Sequence, residues 1–210
     1  MNNEFFKVFK EFKAECDSIN MQLQKRIEKS AFKDAIATKE NLSISTSKCL
    51  CEDIQMIIDL QSKKYPQRYI DSIIRNMSEQ IIEYKYIIKN QSLIGEYFGE
   101  NLPEDEDVEC NDTKDVFSRL KQTGESRFTS KRESVSKMAK DINEKVSTDE
   151  KIALYDIFSL KAELEHNSYF NSVFEVIDQI EKHEDDSHYN FNIMLIYYII
   201  GAFKETYYTV

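Results

Sequence analysis

Tryptophan is absent, and the chain holds only four glycines and two prolines. An all-β sandwich or barrel needs a turn about every ten residues, so a chain this poor in turn formers is excluded from those classes. Cations are in deficit as well: 28 Lys and Arg against 38 Asp and Glu leave a formal charge of −10. That balance disfavours diffuse attachment to nucleic acid, which depends on neutralising phosphates, while leaving room for a small local basic groove. Cys16, Cys49, Cys51 and Cys110 show neither a disulfide framework nor a CxxC pair, and they read as reduced cytosolic thiols. Long apolar runs are missing too. "IMLIYYIIGAF", 193–203, is about half the length of a membrane span and predicts a buried helix. The N-terminal "MNNEFFKVFKEFKAEC" lacks the continuous apolar stretch of a secretory signal. A cytoplasmic protein without a membrane partner is expected.

Helical periodicity fills the space those absences leave. The 210 residues suffice for one core without disulfides or structural metals. Apolar side chains at helical spacing predict one or two helices over 4–37, a polar connection "ATKENLSISTS" over 37–47, and a helix over 47–63. Pro66 suits the first turn of a long helix over 66–92. There Ile70, Ile74, Met77, Ile81, Tyr84 and Ile88 alternate spacings of four and three, the seam of two packed long helices.

The acidic stretch 99–115, "GENLPEDEDVECNDTKD", interrupts the pattern and reads as a surface loop or lid. A short amphipathic piece follows near 114–122. Ser130 with Glu133 matches a capping box and predicts a helix over 130–146. "STDEK", 147–151, signals the start of the next helix, 148–166, whose core side is assigned to Ile152, Ile157, Phe158, Leu160 and Leu164. "HEDDSHYN", 183–190, separates it and its sequel from a final aromatic helix. The expected fold is all-α, a single domain of six to eight helices over 1–210, with the 66–92 and 148–166 helices central. Tyr197, Tyr198, Tyr207 and Tyr208 exceed what one buried face holds, which points to a homodimer contact.

Two polar lines flank the predicted core. Arg75 and Glu79 lie four apart on the long helix, beside its apolar seam. On the 148–166 helix, Tyr155 and Ser159 lie four apart and His166 seven further on, near one stripe. Serine is uncommon in such a position because it competes for backbone hydrogen bonds. If the two helices pack, these residues meet in a partly buried polar network. A hydrogen-bonding role between helices accounts for them without catalysis.

A long helix with "RNMSE" and, after an insertion, "YDIFSLKAELEHNS" resembles a bacterial helical domain-of-unknown-function family. Its members carry Arg-x3-Glu, then Tyr-x3-Ser and a downstream His. In architecture that family is similar to the HEPN superfamily, many of whose members are metal-independent ribonucleases of toxin–antitoxin and phage-defence systems. The resemblance covers roughly 66–175. It implies a bacterial defence or toxin-type protein acting on RNA, with Arg75, Glu79 and His166 as catalytic residues. Tyr155, Ser159 and Asn167 would hold substrate, and neither metal nor cofactor is implied. The pattern departs from HEPN nucleases in one respect: they place Arg and His within an Arg-x4-6-His motif, and no Arg stands at that spacing before His166, so Arg75 must supply the cation from another helix. The chemistry is coherent, since His titrates near neutrality and Arg neutralises a phosphate.

Two other readings start from different residues. A non-catalytic interaction module of such a system would use the acidic loop and the tyrosine-rich helix to bind a basic protein. A metal-binding bundle would use Glu163 and His166 as a Glu-x-x-His pair with Glu79 or Glu83, but its second half is offered only by Asp185 and His188. "SKRE", with Arg127, Lys131 and Arg132, is a modest basic patch. No phosphate-binding glycine loop or nucleophile elbow is present.

Overall fold

The computed structural model describes residues 3–31, 34–63, 65–98, 133–166 and 187–208. Side chains are described at all of these except 3–6, 8, 9, 165, 166 and 187–190. Among the described residues there are seven α-helices, one 3-10 turn and no strand. The helices are α1 (Asn3–Lys29), α2 (Lys39–Ser62), α3 (Gln67–Lys89), α4 (Ile94–Tyr97), α5 (Val135–Asp141), α6 (Leu154–His166) and α7 (Ser187–Tyr207). The architecture is an all-α bundle, as the composition predicts. None of the described helices is long and apolar enough to cross a membrane. The 99–115 and 114–122 segments, Cys110, Ser130 and the basic patch at 127–132 lie outside the described residues.

Helix α3 is the axis of the bundle. It packs most closely on α6 and also touches α2, α5 and α7, while α1 packs on α2. Ile70, Ile74, Met77, Ile81, Tyr84 and Ile87 are buried along it, with Ile88 partly so. Each such isoleucine contributes about 2 kcal/mol through the apolar surface it removes from water. One contiguous core joins these residues to Leu23 of α1, Leu50 and Ile57 of α2, Leu154 of α6 and Phe203 of α7. At its centre Tyr84 packs against Phe203, ring centroids 5.4 Å apart. The Tyr84 hydroxyl shares a 2.8 Å hydrogen bond with Ser43 Oγ of α2.

Several helix boundaries differ from the sequence expectation. Helix α2 begins at Lys39, inside the stretch read as a polar connection. Thr38 caps it by accepting from Asn41 N at 3.1 Å, and Asn41 Nδ2 donates back to the carbonyls of Ala35 and Ile36. The hydroxyls that suggested a loop instead donate one turn back: Ser43 to Lys39 O and Thr46 to Leu42 O. Satisfied in this way, Ser43 and Thr46 lie buried, and Ser47 is buried beside them.

Helix α5 spans only Val135–Asp141, and its N-cap is Ser134, which accepts from Lys137 N. Glu133 pairs with Lys137 one turn on. Helix α6 starts at Leu154, not 148. Its inward face is also rotated from the expected one: Leu154, Ile157 and Lys161 are buried, Phe158 is half-buried and Leu160 is exposed. "HEDDSHYN" is shortened as a linker because α7 starts at Ser187.

Between α2 and α3, burial with the nearby charge of Glu52 pushes the Asp53 carboxyl up to about pKa 6, although the Gln80 side chain donates a hydrogen bond to it. An acid whose folded pKa exceeds its ordinary value of 3.8 binds its proton more tightly when folded. Stability therefore falls as pH rises through that window and stays reduced above it. Asp53→Asn should raise the melting temperature at about pH 8 and leave it unchanged below about pH 4. Circular dichroism melts at the two pH values check this, and an equal shift at both would count against the titration of Asp53.

Candidate functional site

The α3–α6 seam holds a buried charge cluster. Lys161 of α6 donates from Nζ to Asp71 Oδ1 of α3 at 2.6 Å and to Asn192 Oδ1 of α7 at 2.7 Å. All three residues are buried, at 2%, 3% and 5% exposure, so the lysine cannot extend its ammonium to water. Gln67 Nε2 adds a longer contact to Asp71 Oδ1 at 3.4 Å, and the Phe191 ring lies 5.7 Å from Nζ. The pair closes a three-helix junction. Taking both charges out of water costs several kcal/mol per ion, and their mutual attraction recovers this only because the geometry is close and Asn192 fills a second site on the ammonium.

One turn further along α3, Arg75 lies against α6. Its guanidinium stands 5.2 Å from the centroid of the Phe158 ring. Phe158 stacks with Tyr155 at 5.8 Å, and Lys145 Nζ lies 5.9 Å from the Tyr155 ring. Lysine, tyrosine, phenylalanine and arginine thus form a half-buried ladder of cations and rings. Two of the sequence-derived site residues, Arg75 and Tyr155, share Phe158 as a neighbour. Glu79 and Ser159 are both half-buried on the two packed helices.

The helices run antiparallel here: Asp71 is level with Lys161, and Arg75 with Phe158. His166 follows Phe158 by eight residues, about 12 Å along the axis at 1.5 Å per residue. An Arg75–His166 pair therefore has to bridge roughly two helical turns, past the Asp71–Lys161 pair. The side chain of His166, and Asn167 entirely, lie outside the described residues, as do Asp185 and the His188 side chain. Glu163 is exposed. Among the described residues, no group of three or more His, Cys, Asp or Glu is arranged to hold a metal ion.

A second charge cluster sits at the opposite end of α6. Glu144 is fully buried and accepts from Lys85 Nζ at 2.6 Å and Lys151 Nζ at 2.5 Å. Its other oxygen lies 3.4 Å from Leu154 N, and its carbonyl accepts from Tyr155 N at 3.0 Å. A carboxylate at a helix N-terminus complements the helix dipole and takes up donors that the first turn leaves open. Asn143, at φ 59°, turns the chain into this position; Asn tolerates left-handed backbone better than most residues. Lys85 also holds Glu205 of α7 at 3.2 Å and, with Lys151 assisting, keeps that carboxyl below its ordinary range. Ser147, read as the helix start, donates to Asp156 Oδ2 from both N and Oγ, so it braces the loop ahead of α6.

The outward face of α7 carries a groove of about 610 Å³. Ile193, Met194, Tyr197, Tyr198, Gly201 and Ala202 line it, with Lys151 and Glu205 at its margin. Tyr197 is 54% exposed. A Cβ placed on Gly201 would meet nothing within 4 Å, so that glycine leaves the groove floor open.

Comparison with known proteins adds no family to this geometry: no family model, curated protein or solved structure matches the chain.

Sequence reasoning placed Arg75 and Tyr155 at the α3–α6 contact and missed both buried charge clusters. A signal for Lys161 was present, because it lies four residues after Ile157 and three before Leu164, on the inward stripe. None marked Glu144, whose lysine partners stand 59 and 7 residues away. Lys161→Met should destabilise the protein by about 3–5 kcal/mol, since Asp71 is left charged and buried, whereas Asp71→Leu with Lys161→Met should recover most of that loss. Urea unfolding measures both. A loss under about 1 kcal/mol in the single variant would mean that water reaches the pair.

Proposed function

We propose that the chain is a protein-interaction module whose α7 groove receives an amphipathic helix from a basic partner protein. The observation that carries this reading is the groove itself, an open apolar trough lined by Met194, Tyr197, Tyr198 and Gly201 along a helix whose other face is core. Helix-in-groove recognition uses such a trough, with apolar anchors at helical spacing supplying the contact. Tyrosine contributes large contact area with few rotatable bonds. The formal charge of −10 selects the sign of the partner, because it attracts basic proteins and repels a second copy at long range.

Gly201→Trp fills the groove, and Tyr197→Ala removes its most exposed ring. Both should leave the melting temperature near that of the wild type. Both should weaken capture of the partner by at least about 30-fold, the cost of losing a central hot spot. Affinity capture with wild type and Gly201→Trp side by side is the measurement. A basic protein retained by wild type alone supports the reading, and identical captures sink it. Dimerisation abolished by Gly201→Trp would reassign the groove to self-association.

The second reading keeps the HEPN-like resemblance and takes the protein as a metal-independent ribonuclease of a defence or toxin–antitoxin system. Its support is that Arg75 faces α6, the helix bearing Tyr155, Ser159 and His166, at a half-buried edge. Arg75 would neutralise phosphate and His166 would move the 2′-hydroxyl proton. Purified protein should then cleave total RNA in EDTA, with activity lost in folded His166→Ala and Arg75→Ala variants. Uncut RNA, or cleavage that survives both substitutions, removes this reading.

A further inference from the structure

The groove on α7 is apolar along its length and charged at one end. Met194, Tyr197, Gly201 and Glu205 follow one another at spacings of three and four, so they share one face of the helix. Glu205 lies one turn, about 6 Å, beyond Gly201. Lys151 stands beside it, with Nζ 3.8 Å from Glu205 Oε2. Neither residue depends on that contact. Lys151 is held by the buried Glu144 at 2.5 Å, and Glu205 by Lys85 at 3.2 Å.

The two margin residues differ in what they offer an incoming molecule. The Glu205 side chain is 65% exposed, against 43% for Lys151. Both lysines approach Glu205 through Oε2, and among the described residues nothing donates a hydrogen bond to Oε1. Lys151 is drawn inward by Glu144, and Lys85 is largely enclosed. The outermost charge at the end of the trough is therefore a carboxylate oxygen with room for a donor. A basic side chain arriving there meets Oε1 directly and displaces at most the 3.8 Å contact, after which Lys151 keeps Glu144 and Glu205 keeps Lys85. An acidic side chain meets the like charge of Glu205.

We infer that Glu205 is the specificity-determining residue of the groove: it receives an arginine or lysine of the docked helix, placed one turn beyond that helix's last apolar anchor. The inference rests on the reading of α7 as a helix receptor and adds the position at which the partner's basic charge is read. From Met194 to Gly201 the apolar stripe spans about 10 Å, which matches anchors at i, i+4 and i+7 of a docked helix. Such anchors supply the grip but fix the register poorly, because an apolar trough tolerates a slide of one turn. A charge at one end removes that freedom. Only one register seats the anchors on the rings and brings the cation to Oε1 together. Repulsion of an acid at the same place excludes the wrong partner, so selectivity has an attractive and a repulsive part.

The test uses the full chain and three fluorescein-labelled amphipathic peptides with leucines at i, i+4 and i+7. One carries arginine a turn before the first leucine, one carries it a turn after the last, and the control has glutamine at both places. Anisotropy titrations are run on wild type, Glu205→Gln and Gly201→Trp, at low salt and at about 0.5 M NaCl. Glu205→Gln alters an exposed side chain and leaves Lys85 on Glu144, so it should fold as the wild type does. One arginine peptide should bind the wild type about fivefold more tightly than the control, a margin that narrows at high salt. That margin should vanish in Glu205→Gln, while the control peptide binds both proteins equally. An arginine preference that survives Glu205→Gln, or three peptides bound with equal affinity, overturns the role of Glu205 and leaves the helix receptor standing. Peptides that bind no protein, or bind Gly201→Trp as well as wild type, overturn the receptor and this inference with it.

Discussion

Between Ile70 and Ile88 only Asn76 of α3 is exposed, and this near-complete enclosure sets the terms for the rest of the fold. A helix surrounded by α2, α5, α6 and α7 can be apolar on one stripe without difficulty. The polar side chains buried along it cannot turn to water and must be answered from inside the protein. Asp71 is answered by Lys161, Tyr84 by Ser43, and Ser78 by the carbonyl of Ile74 one turn back. The packing of α2 and α6 follows from those obligations as much as from the isoleucines. A different rotation of either helix would strand a charge or a hydroxyl.

The same reasoning separates what could be read in the amino-acid order from what could not. Periodicity identified α3 and its buried stripe almost residue by residue, because an alternation of fours and threes has one helical interpretation. It failed for α2 because Ser43 and Thr46 look polar in sequence and behave as apolar once their hydroxyls bond back into the helix. It misjudged the facing of α6 by treating Leu160 as core and overlooking Lys161, whose inward position makes sense only when Asp71 and Asn192 are already opposite it. Ion pairs between distant residues leave no local imprint. Of the candidate residues, Arg75 and Tyr155 meet through Phe158, while the register spaces His166 well along the helix.

The two charge clusters divide the labour along α6. The one around Glu144 fixes where the helix begins, since its carboxylate and carbonyl receive the first two backbone amides. The one around Lys161 fixes how the helix is rotated about its own axis. The cation–ring ladder lies between them, with its faces half open to solvent. A helix held at both ends in this way is fixed against α3 in both register and rotation.

The reach of Lys85 also has a consequence for synthesis. Its two carboxylate partners, Glu144 and Glu205, lie 59 and 120 residues downstream. At ribosomal speeds of about 5–20 residues per second, roughly 6–24 s separate the emergence of Lys85 from that of Glu205. During that interval the flank of α3 that α7 will cover has nothing to pack on. The nascent chain must carry that apolar flank uncovered until α7 arrives, and that interval is when it is most open to aggregation.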